Sequence, residues 1–133
     1  MSGKIEKNPR VIITQLLYSR HLNKDIDLKF PKHQYKSFIK KIVNGTIERN
    51  ELITEILKKD FNNVINFKKI ELVILIIIKA AIYEFLYRPE TSLKIIINEY
   101  LNVAILFSNE NNKNFLNAIL DKISKKLRSK WMN

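Results

Sequence analysis

The stretch Lys68–Tyr87, KKIELVILIIIKAAIYEFLY, decides the fold. Its apolar residues follow neither the alternation of a half-buried strand nor the single stripe of a surface helix; they occupy nearly every side. Isoleucine is a poor helix former in isolation, and Ile74–Ile78 by itself resembles a strand. Length settles the matter, because about twenty residues pass without a turn signal. The segment reads as a central helix surrounded by others. Its most apolar run, Leu72–Ile78, is only seven residues long and is followed by Lys79 and Glu84. A membrane span needs about 20 apolar residues.

On the C-terminal side, Arg88-Pro89-Glu90 breaks this helix. The next helix, Leu93–Phe107, carries Ile96, Tyr100, Val103, Ala104 and Phe107 on one face. SNENN (108–112) is a loop, and a last helix repeats the pattern with Leu116, Leu120, Ile123 and Leu127 before fraying into KLRSKWMN. On the N-terminal side, Asn8 caps a first helix that Pro9 opens, running to about His21. NKDIDLKF (23–30) is a loop, Pro31 opens a second helix that stops near Gly45, and a third covers Glu48–Lys59. Asp60–Asn66 connects the halves. With only 2 Gly and 3 Pro in 133 residues, a sandwich or barrel lacks its turns. The expectation is an all-α bundle of six to seven helices in two packed subdomains, residues 1–64 with a basic arm and 65–133.

Several functions lack their residues. There is no cysteine, hence no disulfide or thiolate metal site. The start, MSGKIEKNPR, has no apolar core of a secretory signal, so a soluble cytoplasmic protein is expected. His21 and His33 have no nucleophile or carboxylate at a catalytic spacing, and Glu71, Glu84, Glu99 and Asp121 stand singly. Two glycines cannot form a phosphate loop or dinucleotide fingerprint. No enzyme, cofactor or metal is expected.

The net charge of +11 suggests an acidic partner, nucleic acid being the commonest. Ile, Lys and Asn together make up 56 of the 133 residues, however, and an A/T-rich genome produces the same skew. Arrangement says more. Lys4, Lys7 and Arg10 form an arm leading into the first helix; Lys32, Lys36 and Lys40 recur every four residues; Lys122, Lys125, Lys126, Arg128 and Lys130 crowd the last helix. Selective RNA reading also needs aromatic platforms and polar groups facing base edges. Gln15 with Tyr18, and Asn117 with Asp121, share helix faces near the basic ends, and Phe115 lies alongside. Tyr18 and Phe115 have core packing as their competing assignment.

These residues carry a resemblance. From Tyr83 onward the chain is similar to the C-terminal half of the bacterial antitermination factor family NusB: Tyr83-Glu84, Arg88-Pro89-Glu90, Lys94, Ile97-Asn98-Glu99, the Phe107 loop and Phe115-x-Asn117-x-x-Leu120-Asp121-Lys122. Arg10, Gln15, Leu17 and Tyr18 match the family's first helix, so nearly the whole chain is covered. The resemblance implies a non-catalytic factor that pairs with NusE, a small-subunit ribosomal protein. The pair would capture boxA of nascent ribosomal RNA and join the RNA polymerase antitermination complex. By position, the RNA face would comprise Lys4, Lys7, Arg10, Gln15, Tyr18, Phe115, Asn117, Asp121 and Lys122, and the NusE face Lys79, Glu84 and Lys94. The chain departs from the family in its lysine-containing arm, in Lys79 for the usual arginine and in Ala118 for the usual glycine.

A second reading is a helical protein-interaction module, since the same fold forms the N-terminal domain of ribosomal RNA cytosine methyltransferases. The end of the chain at Asn133, without a cofactor-binding domain, favours the non-enzymatic reading. A homodimer that hides the RNA face until NusE arrives is a third, left open by the sequence.

Overall fold

Asn8 adopts an extended backbone and its side chain accepts from the Arg10 N–H at 2.9 Å, with Pro9 at the first helical position. The first helix therefore begins where its capping signal stands. In the computed structural model, which describes residues 6–131 and side chains through Arg128, six helices follow one another. They are α1 (Pro9–Leu22), α2 (Lys36–Glu48), α3 (Asn50–Asp60), α4 (Leu72–Tyr87), α5 (Leu93–Phe107) and α6 (Asn111–Trp131). No strand occurs among the described residues. The all-α expectation holds.

Helix α4 is the hub. It packs against all five other helices, and from Ile76 to Phe85 every side chain but that of Lys79 is buried. Burial of so many isoleucines outweighs their modest helix propensity, because each contributes about 1.5–3 kcal/mol on leaving water. The hydrophobic core is continuous from Val11 through Leu127. The expected boundary near residue 64 falls in the turn-rich connector 61–71, where Phe61 and Ile65 are nonetheless buried.

The second helix differs from its expected bounds at both ends. It starts at Lys36 rather than after Pro31, since the His33 ring intervenes: its Nδ1 accepts from the Tyr35 N–H at 2.9 Å, and its Nε2 lies 3.0 Å from the Glu6 carbonyl. One neutral tautomer, protonated at Nε2, satisfies both contacts and ties the N-terminal arm to this loop. Lys32 consequently lies outside the helical lysine row, leaving Lys36 and Lys40 on it. The helix also runs through Gly45 to Glu48. Gly45 is no terminator; it is the place where α2 meets the ring of Tyr83, and a Cβ there would overlap that ring.

Gly45→Ala tests this packing. Helix propensity alone would stabilise the substitution by about 1 kcal/mol, whereas overlap with Tyr83 costs about 1–3 kcal/mol. Urea unfolding is expected to show net destabilisation; a more stable variant would mean that the ring is free to move.

Candidate nucleic-acid interface

Arg10, Ile13, Thr14 and Leu17 recur at the spacing of one helical face, and that face of α1 is buried. Arg10 thus enters the core beside α4. Its Nε and Nη2 donate to the two carboxylate oxygens of Glu84 at 2.9 and 2.7 Å, and the Tyr100 hydroxyl donates to the same carboxylate at 2.6 Å. Glu84 is 0% exposed and Arg10 8%. The guanidinium also lies over the rings of Phe38 and Tyr100, with centroids at 5.0 and 5.5 Å. Burial opposes the charge on Arg10, but the hydrogen bond and charge of Glu84, with smaller contributions from Tyr100 and Glu99, together outweigh it and leave its pKa raised. Burial, and then the Glu84 charge, hold the Tyr100 phenol well above its ordinary value of 10.0.

This network corrects two placements. Arg10 was expected on the RNA face and Glu84 on the NusE face; each instead satisfies the other in the interior. The signals were present: Arg10 shares its spacing with the buried stripe of α1, and a carboxylate on a helix without a polar side requires an internal donor.

The remaining candidates are exposed. Lys7, Gln15, Asn117, Asp121 and Lys122 face solvent, as do the rings of Tyr18 (36%) and Phe115 (41%), which removes their core assignment. Lys4 and the side chain of Lys130 lie outside the described residues. Gln15, Tyr18 and Ser19 line a groove of about 580 Å³ with Glu71–Val73 and Phe107. Phe115 borders a second groove of about 450 Å³ with Asn66, Lys69 and Asn112. Glu71 lines both grooves and joins them. Its Oε1 accepts from Ser108 Oγ at 2.7 Å and from Asn112 Nδ2 at 3.2 Å. Sequence reasoning missed Glu71, Ser108 and Asn112, which reach one another only through the fold.

The candidates on α6 divide between two sides. Phe115 and Lys122, seven residues apart, share one flank with Lys126, which pairs with Asp60 at 3.6 Å and lies over Phe61. Asn117 and Asp121 lie roughly 120–160° around the helix from Phe115. There Asp121 holds Lys125 at 3.0 Å. Arg128 is committed elsewhere, donating to the carbonyls of Phe85, Arg88 and Thr91 where α4 ends. Among the candidates for a protein partner, Lys94 is exposed beside Ile95. Lys79 is half-buried and donates to Asn50 Oδ1 at 3.0 Å. Lys79 lines a cleft that Lys94 does not border.

No group of residues suited to a metal occurs among the described residues, and no described helix is long and apolar enough to cross a membrane. Fold and exposed features define a small helical protein whose polar and aromatic residues converge on surface grooves. Residues 7–125 match the model of the NusB family, and the chain belongs to that family of transcription antitermination factors. It is similar to the transcription antitermination protein NusB of Buchnera aphidicola subsp. Cinara cedri, 30% identical over 88% of each chain. It is likewise similar to that of Coxiella burnetii, 30% identical over 92% of this chain and 81% of the relative. A solved structure, T. maritima NusB, shares the fold at a TM-score of 0.73 and 19% identity, covering 93% of both chains.

The raised phenol predicts an alkaline weakness. Below pH 10 Tyr100 is protonated in both folded and unfolded chains; above it the unfolded chain ionises first, so stability falls as pH rises toward the folded value. Urea unfolding should lose up to about 1.4 kcal/mol per pH unit from this group. Tyr100→Phe should be less stable near neutrality yet show a shallower alkaline fall; an unchanged slope would contradict the assignment.

Proposed function

We propose that the chain is a non-catalytic cytoplasmic antitermination factor that binds boxA RNA of nascent ribosomal transcripts together with NusE, within the RNA polymerase antitermination complex. The observation that carries this reading is the pair of grooves joined at Glu71, bordered by Gln15 and Tyr18 on one side and Phe115 on the other. Exposed rings offer stacking platforms to unpaired bases, and amide and carboxylate groups between them suit base edges. Lys122 on the Phe115 flank and the exposed Lys68 and Lys69 on the connector supply phosphate contacts. Lys7 extends the surface from the start of α1, and Asn117 and Asp121 offer a separate contact on the other side of α6, where the carboxylate orients Lys125. NusE is placed on α5 at Lys94, next to the exposed Ile95. Arg10 and Glu84 support these surfaces from within.

Fluorescence anisotropy with boxA RNA and a scrambled control, with and without NusE and across a salt series, tests the proposal. Phe115→Ala is expected to weaken boxA binding about tenfold, the loss of one stacked base, while leaving the melting temperature unchanged because the ring is outside the core. Preference for boxA should persist as salt rises. Equal loss of both RNAs with salt, or wild-type affinity in Phe115→Ala, would refute the placement.

A further inference from the structure

A cleft of about 620 Å³ lies between α1, the α2–α3 junction and α4, and shares no residue with the grooves assigned to RNA. Arg20, His21 and Lys24 line it from the end of α1, Thr46 and Asn50 from the junction, and Lys79 from α4. No carboxylate lines it. Among the described residues, none of the ion pairs uses Arg20, Lys24 or Lys79.

Two donors here lack an acceptor. Thr46 is only 4% exposed, and its Oγ1 has no hydrogen-bond partner. A threonine inside a helix ordinarily turns its hydroxyl back to the carbonyl four residues earlier; this one does not. The buried Nε of Arg20 is also unpartnered, although its Nη2 donates to the Ile26 carbonyl at 3.1 Å. Leaving such groups unmet is unfavourable by about 1–3 kcal/mol each. Burial, together with the nearby Lys58 charge, lowers the pKa of Lys79, as expected where like charges crowd without a counterion.

Donors without acceptors and cations without anions call for one kind of occupant: a compact, multiply charged group with several acceptor oxygens. We propose that this cleft binds a phosphate group, held by Arg20, Lys79 and the Thr46 hydroxyl, with Lys24 and His21 at its mouth. The cleft has room for an ester substituent, so both free phosphate and a phosphate of an RNA strand meet its chemistry. The inference does not rest on the boxA reading.

Amide-detected NMR titration of the full chain with inorganic phosphate, and separately with a nucleoside 5′-monophosphate, tests it without RNA. Saturable shifts are expected at Thr46, Ile47 and Asn50. Lys79→Gln should weaken binding about tenfold through loss of a charge-assisted bond. Thr46→Val is the discriminating variant: it should weaken phosphate binding several-fold while keeping or raising the melting temperature, because an unmet buried hydroxyl is removed. Absence of saturable shifts, or wild-type phosphate affinity in Thr46→Val, overturns the proposal. Repeating the titration with boxA RNA bound separates the sources. Competition at the same amides identifies an RNA phosphate as the occupant, and undisturbed binding identifies a free anion; both uphold the site.

Discussion

The bidentate pair of Arg10 and Glu84 constrains the molecule more than any other contact. Both groups are withdrawn from water, so each needs the other at hydrogen-bond distance. That requirement fixes α1 against α4 in rotation as well as position. With Arg10 turned inward, Gln15, Tyr18 and Ser19 are turned toward the groove that α1 borders. Tyr100 from α5 closes the network, so three helices are registered by one carboxylate. Apolar packing alone tolerates sliding and rotation; a forked ion pair does not.

The second constraint is the apolar circumference of α4. A helix surrounded by five others has no side left for recognition, so function is displaced to its rims. Glu71, just before α4, joins the two grooves, and Lys79, its one incompletely buried residue between Ile76 and Phe85, opens on the basic cleft. At the other end Arg128 satisfies carbonyls where α4 stops. Part of the strong positive charge of the chain is therefore structural. Arg10, Arg128 and Lys126 spend their donors inside or between elements, while Lys122 and the lysines of the connector remain at the surface.

The sequence made the helices legible where a cap or an amphipathic stripe marked them. Asn8-Pro9 and the face from Ile96 to Phe107 placed α1 and α5 closely. It misled at Gly45, because a glycine required for close approach to Tyr83 looks like a glycine that ends a helix. Residue type and spacing left core packing open for Tyr18 and Phe115; it was the resemblance to the family that put them on a surface, and both rings are exposed. Arg10 and Glu84 were placed on surfaces by position, through the resemblance to the family, although the spacing of Arg10 and the all-round apolarity of α4 indicated the interior. The Glu71–Ser108–Asn112 cluster and the orphaned Thr46 hydroxyl could not be read at all, since they depend on contacts between distant segments.

The claim that one buried pair registers α1 on α4 is tested most directly by a double-mutant cycle on Arg10→Met and Glu84→Leu, followed by urea unfolding. Each single change leaves a buried charge without its principal partner, Arg10 retaining only Glu99 at 3.7 Å and Glu84 only the Tyr100 hydroxyl, and is expected to cost about 3–5 kcal/mol. The double variant should recover much of that loss, giving a coupling of about 2 kcal/mol or more between the sites. Additive effects, with no coupling, would contradict the account.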